Sequence, residues 1–223
     1  NTSILVDAIQ HVVTEKMNTF LTWTFTAEEV HKALKQMHPK KSPSLHGMSP
    51  LFYQHFWSLT SECVTKTVLD FLNLGIIPPN FNETHIVLIP KIKNLTRVTQ
   101  YKPISLCNVI SRLTSKVIAN RLKRFLPHIV SENQSAFMSD RLIKDNIIVA
   151  FETMHHLNQK RSGKIGEMAL KLDMSKAFDR VEWGCLEKIM QKMGFNDKWV
   201  KLIINVLPLL HILSGLMGNP EVT

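Results

Sequence analysis

The sequence predicts an α/β chain, rich in helix, with a small mixed or antiparallel sheet. Three observations carry that prediction. Apolar residues recur at helical spacing along several long stretches; two short β-branched runs, HIVLIPK and YKPISL, lie close together; and one further apolar run, MALKLDM, ends beside an acid. At 223 residues with 44% hydrophobic content, the chain can bury a core, and its length suits one large domain or two small subdomains.

The elements follow in order. Thr26 with Glu29 forms a capping-box pattern, and Val30, Ala33, Leu34 and Met37 then recur at helical spacing until His38-Pro39 stops the run. KKSPSLHGMSP is turn-rich and basic. Ser49-Pro50 opens an aromatic helical stretch, LFYQHFW, which continues after a break towards Leu72 and ends at Asn73-Leu74-Gly75. Residues 85–91 read as a strand, and residues 101–106 as its partner or an extended edge, because Pro103 holds Lys102 extended and cannot donate to a ladder. Together they predict a hairpin with a basic tip. From Asn108 to Leu126 the pattern is helical, with Val109, Leu113, Val117 and Phe125 towards one side and Pro127 ending it; a further helix is expected at about Leu142 to Gln159.

Composition narrows the partners. Twenty-seven Lys+Arg stand against 18 Asp+Glu, and a net charge of +9 favours a polyanionic partner while saying nothing about fold. Cys63, Cys107 and Cys185 are odd in number and widely spaced in apolar surroundings, which fits buried reduced thiols and an intracellular setting, nucleus or cytoplasm. The longest apolar runs are broken by Pro, Gly or His and fall short of the roughly 20 residues a membrane span needs, so no membrane partner is expected. The N-terminus does not read as a secretory signal, and no targeting segment is identified. It lacks an initiator Met, as a fragment would. Oligomeric state is not readable from the pattern.

Two groups of side chains in the helix from Asn108 stand out. Arg112, Lys116 and Lys123 fall within an arc of roughly 40° at 100° per residue, a basic stripe that is either a solvated face or a set of phosphate contacts. Arg121 instead lies among the apolar residues, where a buried guanidinium requires an acidic or carbonyl partner.

The stretch KLDMSKAFDRVEW holds three acids. Met168 to Met174 reads as a short strand with apolar residues on both faces, as in a sheet covered by helices. Asp179 and Glu182 resemble a helix start, followed by the stripe Val181, Leu186, Ile189, Met190 and Met193 and a cap at Gly194. Asp173 has no such explanation: at a strand end among Leu172 and Met174 it needs a cation, either a structural ion pair or a metal, unless it serves as a general base.

Four segments then carry a resemblance: LIPKIKN, YKPISLCNVISRLTSKVIANRLKRFLP, SENQSAFMSDRLIKDNI and GEMALKLDMSKAFDRVEW. As an ordered series from about Phe25 to Val206 they resemble the N-terminal part of the reverse transcriptase domain of LINE-type, non-LTR retrotransposons, particularly those of plants. The resemblance implies right-hand polymerase fingers and a partial palm. It divides the chain into a poorly defined segment at 1–25, a helical region with fingers at 26–140, and an incomplete palm holding only the first catalytic motif at 141–223.

It also implies roles. Asp173 would be the catalytic carboxylate and a ligand of the Mg²⁺ pair, a hard oxygen donor suited to that ion. The Met174 carbonyl would add a ligand beside the incoming nucleotide. Phe178, by pattern alone an ordinary core aromatic, matches the steric gate that excludes a ribose 2′-hydroxyl. Lys91 and Lys102, on the fingers hairpin, would grip the triphosphate; Lys102 stands where the family commonly has Arg and lacks its bidentate fork. Arg112, Lys116, Lys123, Gln134 and Arg141 would lie along nucleic acid. The implied partners are an RNA template, a DNA primer and deoxynucleoside triphosphates, and the rival reading is a basic RNA- or DNA-binding module without chemistry.

Departures accompany the matches. Ser44, Leu45 and His46 replace the turn-forming Gly, Pro and Asp of the family's usual loop, so a damaged loop is expected there. Asp140 stands where Gly is usual. The sequence ends before the family's Gln-Gly and A-D-D motifs, from which an inactive remnant is expected, since one Asp cannot hold two Mg²⁺. Ten His residues form no ligand-spaced array, Glu152 could meet His156 at four residues, and GKIGE lacks P-loop spacing.

Overall fold

The computed structural model describes residues 7–41, 47–78, 81, 84–94, 96–138, 140–160, 166–173 and 180–210. They fall into two compact units: residues 1–122 with 183–223, and residues 123–182.

The first unit opens with a helix not expected from the apolar pattern, although Thr14 before Glu15 is a start signal. α1, Glu15–Thr22, is capped by the Thr14 side chain, which accepts from the Met17 N–H. α2, Ala27–Lys35, has the expected capping box: the Thr26 hydroxyl accepts from Glu29 N, and Glu29 Oε2 from Thr26 N at 3.0 Å. Its predicted stripe is buried, Val30 and Ala33 fully, with Leu34 and Met37 beside them. Each large side chain of that stripe contributes roughly 1.5–3 kcal/mol by leaving water.

α3, Pro50–His55, starts on its proline and breaks at Phe56; α4, Trp57–Leu69, follows. Gln54 Nε2 donates to the carbonyls of Leu34 and Met37, both at 2.8 Å, and so ties α3 to the end of α2 and to the turn that follows it. α4 runs on into a π turn, Asp70–Leu74, ended by Gly75 in the left-handed region at φ 73°. α2 packs against both α3 and α4.

β1, Thr84–Pro90, and β2, Tyr101–Cys107, form the expected hairpin, antiparallel, with Leu88 opposite Pro103 and Ile89 opposite Lys102. A 3-10 turn, Val98–Gln100, precedes β2, and Gln100 Oε1 accepts from the N–H groups of Thr96 and Arg97. α5 spans Val109–Lys123, with Val109, Leu113 and Val117 buried as predicted. The expected extension to Leu126 is not seen. Pro127 instead sits in the first turn of a one-turn helix, α6, Leu126–Ile129, where its missing N–H costs nothing.

α8, Trp183–Lys192, and α9, Asp197–Leu210, complete this unit and pack on each other. Gly194, at φ 93°, ends α8 in a Schellman pattern: Gly194 N donates to Gln191 O and Phe195 N to Met190 O. The turn is stapled to the N-terminal segment. Val12 N and Val13 N both donate to Met193 O, Asn18 Nδ2 donates to Gly194 O at 2.7 Å, and Asn196 N donates to Asn18 Oδ1. Among the described residues α8 starts at Trp183, so Glu182 stands just before it and Val181 is exposed rather than part of the buried stripe. Asp179 lies outside the described residues.

The second unit contains α6, α7 (Ile143–Gln159) and residues 166–173, which form no regular element. α7 forms where expected, but its side chains are exposed nearly throughout, Ile143, Ile147, Val149 and Phe151 among them. The strand expected at Met168 to Met174 is absent from 166–173, and Met168, Leu170 and Leu172 are 87%, 75% and 84% exposed. A strand is defined by pairing, and among the described residues the only sheet is β1-β2. The apolar run is therefore present without the ladder that would use it.

Two smaller expectations change. Cys63 is exposed, with Cys107 and Cys185 half-buried, so the three free thiols are not core residues. His156 meets Glu167 at 3.3 Å rather than Glu152. No helix of the described residues is long and apolar enough to cross a membrane.

Candidate nucleic-acid and catalytic site

The hairpin brings Lys91 and Lys102 to one end. Lys102 pairs with Ile89 and is exposed; Lys91 follows Pro90, donates its backbone N–H to Gln100 O at 2.9 Å, and turns its ammonium back to Thr99 O at 3.0 Å. Lys93 and Arg97, exposed in the connecting loop, belong to the same basic tip and were not singled out by pattern. A simple signal identifies them. Between Glu83 and Glu132 there is no Asp or Glu, while Lys91, Lys93, Arg97, Lys102, Arg112, Lys116, Arg121, Lys123 and Arg124 all fall in that interval. An acid-free run of this kind concentrates positive potential that a whole-chain net charge averages away.

On α5 the stripe separates by environment. Arg112 and Lys116 are half-buried and Lys123 is exposed. Burial pushes the Arg112 guanidinium down from its ordinary range, with the Cys107 thiol acting the other way. Arg121 is buried, and its environment answers the requirement for a partner. Nε and Nη2 grip the two Glu29 oxygens at 2.7 and 2.8 Å. Nη1 donates to the carbonyls of Leu21 and Trp23, and Nη2 to that of Thr24. All five N–H donors are used, and the guanidinium lies 3.5 Å from the centre of the Phe25 ring. Arg121 is therefore structural, while the stripe residues beside it face elsewhere.

For Glu29, burial raises the pKa, but the Arg121 hydrogen bond, the Thr26 N–H and the Arg121 charge together hold the carboxyl below its ordinary 4.5.

Gln134 and Arg141 are brought together in the second unit. Arg141 Nη1 donates to the carbonyls of Ser131, Glu132 and Gln134, at 2.7, 3.1 and 2.8 Å, so it clamps its own loop. Ser135 Oγ adds a bond to Asn146 Oδ1 at 2.9 Å. Inside this clamped loop two non-glycine residues, Phe137 and Asp140, adopt φ 64° and 63°, and Phe137 is 97% exposed. The left-handed backbone at Asp140 is the physical reason a glycine suits that position.

Asp173 is exposed at the end of residues 166–173 and makes no ion pair among the described residues. The cost that would demand a buried partner therefore does not arise. Met174 and Phe178 lie outside the described residues, as do Ser44, Leu45, His46 and Gly163. No group of three His, Cys, Asp or Glu side chains that could hold a metal occurs among the described residues. One carboxylate does not by itself make a two-ion site.

Comparison with known proteins adds three findings. The family model described as reverse transcriptase (RNA-dependent DNA polymerase) matches residues 89–219, more than half of the chain, and that span includes Lys91, Lys102, α5, the clamped loop and Asp173. The transposon TX1 uncharacterized 149 kDa protein of Xenopus laevis is 29% identical over 85% of this chain and 14% of its own length. The retrovirus-related Pol polyprotein from type-1 retrotransposable element R2 of Popillia japonica is 23% identical over 76% of this chain and 22% of its own length. The chain thus spans less than a quarter of either relative.

Proposed function

From a chain that belongs to the reverse transcriptase (RNA-dependent DNA polymerase) family, we propose a part in RNA-templated DNA synthesis: the fingers hairpin, the template-side helix and the first carboxylate of a polymerase site. The observation that carries this reading is the family match over residues 89–219, a span that includes the basic tip of the hairpin, β2 and Asp173. The two relatives are named as a transposon protein and a Pol polyprotein of a retrotransposable element, which supports the copying of an element's RNA into DNA as the setting of this reading.

Each residue has a stated task. Lys91 and Lys102, with Lys93 and Arg97 beside them, meet the triphosphate or template phosphates as exposed cations. Lys116 and Lys123 track the backbone from α5, Arg112 contributes its half-buried charge, and Gln134 and Arg141 hold the clamped loop along the strand. Asp173 is one carboxylate of the Mg²⁺ site. Mg²⁺, when bound, supplies charge neutralisation at the triphosphate. Phe178 is the sugar gate and Met174 the neighbouring carbonyl.

RNA-templated primer extension in Mg²⁺ tests the reading. A product that disappears in Asp173→Asn would assign Asp173 a part in the chemistry; extension equal in the two proteins would sink that role. The exposed, acid-free basic hairpin favours one second reading, a binding module without chemistry. Salt-sensitive RNA binding with no extension by either protein would select it.

A further inference from the structure

We propose that the first unit carries a second nucleotide-binding cleft, separate from the hairpin and from Asp173. The cleft, of about 320 Å³, is lined by the end of α1 and the segment after it (Leu21 to Phe25), by Phe71 to Asn73 with Gly75, and by Lys198, Trp199, Lys201, Leu202 and Asn205 of α9. That volume suits one nucleotide. Its chemistry is divided in the way a nucleotide is divided.

The α9 wall repeats at helical spacing, so Lys198, Lys201 and Asn205 share a face with Leu202 between them. Both lysines are exposed and make no ion pair among the described residues, and no carboxylate lines the cleft; Asp197 precedes Lys198 but is not part of the lining. Trp23, 67% exposed, also lines the cleft. The carbonyls of Leu21, Trp23 and Thr24 are already occupied by Arg121, and the Asn73 amide by Phe25, so the groups left to a ligand are mostly donors. The floor includes Trp199, fully buried, whose Nε1–H meets no acceptor.

A simple anion would leave Trp23 and the apolar floor unused. A nucleotide uses them together: its base stacks on Trp23 over the apolar floor, and its phosphate lies between Lys198 and Lys201. The same chemistry is offered by a unit within a single strand and by a free nucleotide.

Photo-crosslinking to the full chain distinguishes these. The probes are a short oligouridylate containing thiouridine and thiouridine monophosphate, with affinities followed by anisotropy or by competition. Adducts are expected at Trp23 or within residues 198–205. Trp23→Leu, at an exposed position, should weaken binding about tenfold. Lys198→Gln with Lys201→Gln should lower the salt slope by about 1.4. Adducts from the oligomer alone assign the cleft to a strand, and adducts from the monophosphate assign it to free nucleotide. Adducts confined to residues 84–141, with variant affinities within about twofold of the parent chain, would overturn the cleft. Primer extension is a separate readout: its failure bears on Asp173 and leaves the crosslink outcome untouched.

Discussion

Arg121 shows how one residue was legible and its surroundings were not. Its angular position on α5 put it among apolar neighbours, which demanded a partner, but Glu29 lies 92 residues away and no local pattern names it. Arg121→Lys keeps the charge and loses the fork, leaving carbonyls of Leu21, Trp23 and Thr24 short of donors; it should cost about 3 kcal/mol in urea unfolding. Glu29, held below its ordinary 4.5, stabilises the fold above that value and loses its contribution as pH falls through the folded pKa. Glu29→Gln should therefore be less stable at neutral pH and show a flatter acid limb in a stability-versus-pH series. Asp140 is the other instructive residue. The sequence marked it as standing where glycine is usual, and φ 63° supplies the reason. Asp140→Gly should stabilise the chain by about 0.5 kcal/mol, left-handed strain relieved against added unfolded-state entropy, as a rise in urea midpoint would show.

At the scale of elements, helices with local start and stop signals were read well. The Thr26 capping box, Pro50, Gly75 and Gly194 all act where the pattern placed them. Gly194→Ala should cost about 1–3 kcal/mol, because φ 93° is strained for any side chain and a Cβ there runs into the His11 ring; thermal unfolding would reveal a lowered Tm. α1 escaped detection since its hold on the α8–α9 turn comes from Asn18, a polar residue outside the apolar stripe. Periodicity also says nothing about coverage. α5 and α7 both show helical spacing, yet Leu113 is buried and Ile147 exposed. Leu113→Ala should cost about 2–5 kcal/mol, whereas Ile147→Ala should stay within about 0.5 kcal/mol, measured side by side in urea.

For the whole molecule, charge is distributed rather than merely in excess. The net +9 is matched by nine cations lying between Glu83 and Glu132, and the hairpin carries four of them, Lys91, Lys93, Arg97 and Lys102. Lys91→Ala with Lys102→Ala should weaken RNA binding uniformly across sequences and lower the salt slope by about 1.4, read from a salt titration. The sequence by itself determined the capped helices, the antiparallel hairpin and the need of Arg121 for a partner, because these depend on neighbours a few residues apart. Tertiary structure alone decided that the partner is Glu29 with three carbonyls, that α1 is tied to the α8–α9 turn, and that residues 168–173 are exposed despite their strand-like pattern. The physical reason is shared: a ladder, a buried ion pair and a covered face each need groups from distant parts of the chain, and a local pattern states the demand without naming what meets it.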